Sequence, residues 1–331
     1  MKITDKKIDA LNLELTLEIV KDDYVEIERK KFAQLRRTAD FKGFRKGYVP
    51  DSLVRRVYGG QVLAESVNEV ISSSLDSYIN EHKLHILGEP LSSENQAEVE
   101  WVDGNDFTFV FDVAVSPEVS LELGKEDVVN SYNIDVTAKA KAPMIENLKK
   151  YYYEEKKEEK SDEDIDKEVT ERLKSEYKQE SEWRLSKDIR DYVVGKAAIE
   201  LPDAFLKRWL FVANDGKVTR EDIEKDYEGF AADFRWQLVR GYLMKKYGFT
   251  VEEADIRDAA KAYVAYQYAM YGLGNVPEEM LQEAAQNLLS DRKQIGRLEE
   301  QVEDRKVMEK LRGELTIKPK KISAEKFREL K

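Results

Sequence analysis

His82 and His85 are the chain's two histidines, and it contains no cysteine. That leaves few groups able to relay a proton or form a covalent intermediate near neutral pH, so a Ser or Cys nucleophile relay is not supported. The two histidines sit at i and i+3, a spacing that could share a metal, but no carboxylate frames them as in His-Glu-x-x-His. They read as surface residues, and no catalytic or metal-ligating residue is assigned. Gly272-x-Gly274 lacks the third glycine and the strand-to-helix setting of a dinucleotide fingerprint, and no Gly-Lys-Ser/Thr phosphate loop occurs. No cofactor and no use of ATP are expected.

Recognition is better supplied than catalysis. The loop Gly43-Phe44-Arg45-Lys46-Gly47-Tyr48-Val49-Pro50 lies in the one strongly basic part of an acidic protein. Ten lysines and arginines fall between positions 29 and 56 against Asp40 and Asp51, a local net charge of +8. An apolar ring held between two glycines and beside cations suits a docking tip: Phe44 can enter a pocket while Arg45 and Lys46 meet acidic or phosphate groups. An ordinary basic turn has the same composition.

A second candidate is the run 262–271, which is apolar or aromatic around every face of a helix and includes Tyr263, Tyr266, Tyr268, Met270 and Tyr271. Such a helix is commonly buried on all sides. Tyr and Met also suit adaptable contacts with varied apolar sequences. With Val276, Met280 and Leu281 beyond the turn at 272–277, these side chains could form a patch of several hundred Å², a size that marks binding surfaces. Core packing and polypeptide holding both remain open for this segment.

The elements that would carry these groups follow from periodicity. Leu11, Leu13, Leu15, Leu17 and Ile19 alternate with polar residues, as in a half-buried strand. Val25, Phe32, Leu35 and Ala39 then recur at helical spacing, so a first helix ends near Asp40. After the loop a second helix starts at Asp51 or Ser52, is interrupted or bent at Gly59-Gly60, and carries Val67, Val70, Ile71, Leu75, Tyr78 and Ile79 on one face. Val99 and Trp101, a turn at 103–106, and the alternating Phe107, Phe109, Phe111, Val113 and Val115 predict a hairpin. Residues 1–120 therefore read as an antiparallel sheet with two helices, and 121–143 as a linker.

Beyond Pro143 helix formers dominate and no period-two run stands out, so 144–331 reads as an extended all-α domain with projecting arms. Breaks near Pro202, Gly216, Gly248, 272–277 and Gly313 divide it into five or six helices. Ser161 to Asp164 offers a capping box, and Ile165, Val169, Leu173 and Tyr177 make a thin apolar stripe in a highly charged segment. The fold class is α+β.

Charged residues form 37% of the 331-residue chain against 41% apolar, too much apolar content for disorder. The net charge of −12 opposes general nucleic-acid binding and confines any phosphate contact to local patches. No stretch approaches the roughly 20 apolar residues of a membrane span. A soluble cytoplasmic protein with no membrane partner is expected.

Gly43-Phe44-Arg45-Lys46-Gly47-x-Val49-Pro50 resembles the ribosome-binding signature loop of the trigger factor family and lies where that loop belongs, between the two N-terminal helices. Tyr58-Gly59, the helix around Val62-Leu63-Ala64-Glu65, Gly88-Glu89-Pro90 and the Phe-rich strand before Pro117-Glu118-Val119 are similar in order and spacing. Farther on, Ile199-Glu200-Leu201-Pro202-Asp203-Ala204 and Val276-Pro277-Glu278-Glu279 resemble the entries to arm helices.

The resemblance implies an N-terminal unit docked on the large ribosomal subunit near the exit tunnel, against ribosomal protein with ribosomal RNA as a second contact. It also implies a helical cradle for nascent and unfolded polypeptides. Gly43, Phe44, Arg45, Lys46, Gly47 and Pro50 would then be the docking residues, and the 263–281 residues named above the client site. Family members usually carry a peptidyl-prolyl isomerase domain between these parts, and the interval 136–148 is too short for one. The chain is therefore expected not to be an enzyme. The alternatives are a peptidyl-prolyl isomerase and a helical interaction scaffold without general chaperone activity.

Overall fold

The computed structural model describes residues 1–38, 40–45, 47–156 and 160–330. Lys46 thus lies outside the described residues. The chain divides into two compact units, each assembled from two stretches: Met1–Glu118 with Glu200–Ala231, and Val119–Ile199 with Ala232–Lys331.

The first unit is built on an antiparallel sheet of β1 (Lys2–Lys7), β2 (Asn12–Ile19), β3 (Leu91–Ser92) and β4 (Phe107–Ala114), in the order β1-β2-β4-β3. Opposite β2, the register sets Leu13 against Val113, Leu15 against Phe111 and Leu17 against Phe109. Because side chains alternate across a strand, this register puts the leucines and phenylalanines on one face. Helices α1 (Lys21–Thr38) and α2 (Asp51–Glu81) supply Tyr24, Leu63, Val67, Val70, Ile71 and Leu75 to the core built there. Farther along the chain, α5 (Asp203–Ala213) packs on β4. Arg208 donates to an Asp112 carboxylate oxygen at 2.7 Å and to the Ser92 carbonyl at 3.0 Å.

Two expectations for this unit are corrected. Gly59-Gly60 does not interrupt α2, which runs unbroken for 31 residues. Neither glycine has a positive φ, and buried Val54, Val62 and Leu63 hold the helix on both sides of the pair. Nor do Val99 and Trp101 form a hairpin with β4. The Gln96 side chain takes that place, accepting from the Val110 N–H at 2.7 Å and donating to the Thr108 carbonyl at 3.2 Å. Trp101 packs instead at a tilt against Phe107 and Phe109, with ring centroids 5.4 and 5.9 Å away.

In the second unit, residues 121–143 are not a bare linker. They contain β5 (Val128–Asp135) and the start of α3 (Ala138–Lys150), which Thr137 caps. The remainder is mostly helical, as read from the sequence, with one pair of strands that the sequence did not show: β5 pairs in parallel with β6 (Thr316–Ser323). That strand, Thr-Ile-Lys-Pro-Lys-Lys-Ile-Ser, has no alternating signature and finds its partner nearly the whole unit away in sequence. Pro143 lies inside α3, where the contacts of Ala140, Met144, Ile145 and Leu148 with the core formed by Ile165, Val169, Leu173 and Tyr177 outweigh its missing N–H.

A π-helical turn (Tyr151–Lys156) follows α3 and precedes α4 (Asp162–Ala197). Ser161 caps α4 by accepting from the Asp164 N–H at 3.1 Å, and the stripe Ile165, Val169, Leu173 and Tyr177 is buried. Helix α6 (Arg220–Tyr247) contributes its second half to this unit, with α7 (Glu253–Met270), α8 (Glu278–Leu288), α9 (Arg292–Glu314) and the short α10 (Ala324–Arg328).

Asp127 ties the sheet to α4. Its buried carboxylate accepts from Lys196 at 2.6 Å, from the Tyr192 hydroxyl at 2.5 Å and from the Gly124 N–H at 2.8 Å. Its own carbonyl accepts from the Thr316 N–H at the start of β6.

Candidate docking loop and apolar helix surface

The loop between α1 and α2 is anchored from below. Val49 is fully buried with Phe32, Val54 and Val62, and Phe41 and Tyr58 pack at the edge of that cluster with rings 5.8 Å apart. Gly43 and Gly47 both take positive φ, +90° and +86°, in the left-handed region that side chains with a Cβ avoid. Two tight turns result: the Phe44 N–H donates to the Phe41 carbonyl and the Tyr48 N–H to the Arg45 carbonyl, each at 3.0 Å. Pro50 is the N-cap residue of α2, and its fixed φ of −61° directs the chain into the helix.

This scaffold turns Phe44 outward at 42% exposure beside an exposed Arg45. Tyr48, 72% exposed, lies under the Arg45 guanidinium at 5.6 Å and was not singled out from sequence. A cation beside an aromatic ring is a signal that could have found it. The loop can thus offer two rings and a guanidinium to one partner.

On α7 the structure separates the residues that the sequence left together. Ala260 and Val264 are buried, and Ala260 joins Ala285 of α8 and Leu298 of α9 in a small core. Tyr263, Tyr266, Met270, Tyr271 and Met280 are exposed, Tyr266, Met270 and Tyr271 by 65, 71 and 80%. Tyr268, Val276 and Leu281 are half-buried. Leu273, also exposed, sits within a glycine-rich turn that gives it no periodic signal in the sequence. Its N–H donates to the Tyr268 carbonyl at 3.0 Å, and Gly272 takes a φ of +80°. Lys261 of α7 pairs with Glu278 of α8 at 2.6 Å.

Among the described residues no cluster of metal-ligating side chains occurs and no helix is long and apolar enough to cross a membrane. His82 stacks on Tyr78 at 4.0 Å, with Nδ1 3.0 Å from the Tyr78 carbonyl, a local helix-end contact.

Residues 1–148 match the family model described as "Bacterial trigger factor protein (TF)", and residues 181–331 match the one described as "Probable trigger factor, C-terminal domain". The chain belongs to the trigger factor family. The interval between the two matches holds the π-helical turn and the first part of α4.

The trigger factor of Coxiella burnetii (strain RSA 493 / Nine Mile phase I) is 27% identical over 149 residues, which cover 45% of this chain and 33% of that protein. That of Azospirillum brasilense is 32% identical over 36% of this chain and 26% of its own length. The matched part thus spans about a third or less of these relatives. A solved trigger factor chaperone, described for promiscuous substrate recognition in folding and assembly, superposes with a TM-score of 0.55 at 11% identity. The superposition covers 94% of this chain and 99% of that one, so the trigger factor fold is shared over nearly the whole length.

Proposed function

We infer that this trigger factor family member is an ATP-independent chaperone that docks on the large ribosomal subunit near the exit tunnel and holds unfolded or nascent polypeptide through apolar contacts. The observation that carries the reading is the loop: paired positive-φ glycines and a buried Val49 hold Phe44 and Arg45 outward on the basic part of an acidic chain. An interface hot spot has this composition, an aromatic anchor next to an arginine. Polypeptide holding is supported by the exposed Tyr266, Met270, Tyr271, Leu273 and Met280, whose flexible or amphipathic side chains suit many apolar sequences without nucleotide. The solved relative's promiscuous substrate recognition points the same way.

Sedimentation with purified ribosomes tests the docking. The chain is expected to co-pellet at low salt, to release progressively as salt screens its arginines, and to lose pelleting when Phe44, Arg45 and Lys46 are changed together to Ala. Pelleting that survives the triple substitution would remove the loop from the interface. The chain is further expected to leave proline isomerisation in a short peptide unaccelerated, and catalysis at the level of a dedicated isomerase would overturn that part.

A further inference from the structure

A cleft of about 590 Å³ lies between α3, the π-helical turn and the first half of α4, wholly within the second unit. Its volume falls inside the range of ligand pockets, roughly 300–1,000 Å³, and exceeds what a single side chain fills. Met144 and Leu148 of α3 and the buried Val169 of α4 supply its apolar lining. Tyr151 and Tyr152 add two rings 5.6 Å apart, inclined at 68°. Both tyrosines and the α4 residues of the cleft fall in the interval between the two family matches.

The walls are held in place before any ligand arrives. The Tyr152 hydroxyl donates to Glu168 at 3.2 Å and accepts from the Lys160 ammonium at 3.1 Å, which also stands 4.5 Å from the centre of the Tyr152 ring. Lys160 pairs directly with Glu168 as well, and that contact holds the Glu168 carboxyl below its ordinary range. Glu168 is therefore ionised and already satisfied. Lys141 with Asp166 and Lys149 with Asp162, each at 2.6 Å, tie α3 to α4 beside the cleft. Arg172 is the charge left over: it is exposed on the rim and makes no ion pair or hydrogen bond among the described residues.

We propose that this cleft binds an acidic apolar segment of extended polypeptide, with an aromatic or branched side chain among the tyrosines, Met144 and Leu148 and a neighbouring carboxylate on Arg172. An apolar lining with one uncommitted guanidinium calls for a ligand of the same make-up, and the guanidinium fork takes a carboxylate through two parallel hydrogen bonds. Asn147, also lining the cleft, carries both a donor and an acceptor, as a peptide group requires. The first turn of α4 is Asp162, Glu163 and Asp164, a field that admits a single carboxylate more readily than a polyanion. The proposal adds a substrate class to the polypeptide-holding reading and rests on it for the origin of the segment, but it uses none of the α7 residues.

Titration calorimetry on the full chain tests it, with the blocked peptide acetyl-Leu-Phe-Asp-Gly-amide and its counterpart carrying Asn in place of Asp. Saturable one-to-one binding of the acidic peptide is expected, with the Asn peptide about tenfold weaker. Arg172→Gln should weaken the acidic peptide about tenfold and bring the two peptides level, because the pair across the interface is then gone. Tyr151→Ala should weaken both peptides alike. Arg172 and Tyr151 are exposed, so circular dichroism of these variants should match the parent. Equal affinity for the two peptides in the parent, or binding indifferent to Arg172→Gln, overturns the proposal. Binding of 3-phenylpropionate as tight as that of the acidic peptide would assign the cleft to a small aromatic acid and overturn the polypeptide assignment. A chain that suppresses aggregation of an unfolded client yet binds neither peptide loses this cleft alone, and one that binds the acidic peptide through Arg172 but holds no client loses only the general holding reading.

Discussion

At Gly88 the backbone takes a φ of +71°, and a Cβ placed there would lie 2.8 Å from the Trp209 indole. Gly88→Ala therefore meets a left-handed backbone and a rigid ring together, and should cost about 2–4 kcal/mol in urea unfolding. Trimming Trp209 to Leu in the same chain should recover part of the loss, since the clash is relieved and the backbone strain is not. An unchanged unfolding midpoint for Gly88→Ala would refute the contact. Asp127 is the corresponding residue in the second unit. Hydrogen bonds from Lys196 and then Tyr192 hold its carboxyl at about 2, below the ordinary 3.8. A depressed carboxyl stabilises the fold above the unfolded value and loses that contribution as pH falls through the folded one. Stability should therefore decline between about pH 4 and pH 2, and Asp127→Asn, expected to cost about 1–3 kcal/mol at pH 7, should flatten the decline in that window. Equal slopes in parent and variant would show that other carboxylates govern it.

At the scale of elements, α7 shows how one helix can be core on one side and open on the other. Replacing Tyr266, Met270, Tyr271 and Met280 by Ser should leave the helical circular dichroism and the melting temperature nearly unchanged, because all four are exposed. Suppression of aggregation of an unfolded client should weaken several-fold while ribosome pelleting persists. Early melting would show that the residues are structural. The period of 3.6 made this segment legible as a helix, but apolar residues on every face gave no way to tell the buried Val264 from the exposed Tyr266. Neighbours from α8 and α9 make that choice. In α2 a related conflict arises: Gly59-Gly60 is a local signal of a break, and burial on both sides of the pair overrides it. On β6, Pro319 and Lys318, Lys320 and Lys321 hid a strand, although Pro and Lys are the residues that guard a sheet edge against further pairing.

For the whole molecule, each compact unit is assembled from two separated stretches, and α6 supplies residues to both. Hydrogen exchange should separate them. Gly88→Ala is expected to lower protection within Met1–Glu118 and Glu200–Ala231, and Asp127→Asn within Val119–Ile199 and Ala232–Lys331. Protection lost equally everywhere in both variants would mean that the chain unfolds as one. The alternating Phe-rich run that stops before Pro117 lies close to the end of the first stretch at Glu118. The return of residues 200–231 to the first unit was not readable from the sequence, because Arg208 and Trp209 carry no mark of the distant Asp112 and Gly88 that they meet.

Periodicity, charge distribution and the glycine spacing of the loop were sufficient for β2, β4, α1, the start and apolar face of α2, the basic patch and the position of Phe44. Each of these is a local property, set by side-chain alternation or by the φ that a residue tolerates. The parallel pairing of β5 with β6, the Gln96 side chain standing in for a strand and the outward face of α7 arise from partners far apart along the chain. Their free energies come from contacts that exist only once the elements have packed, so no local pattern encodes them.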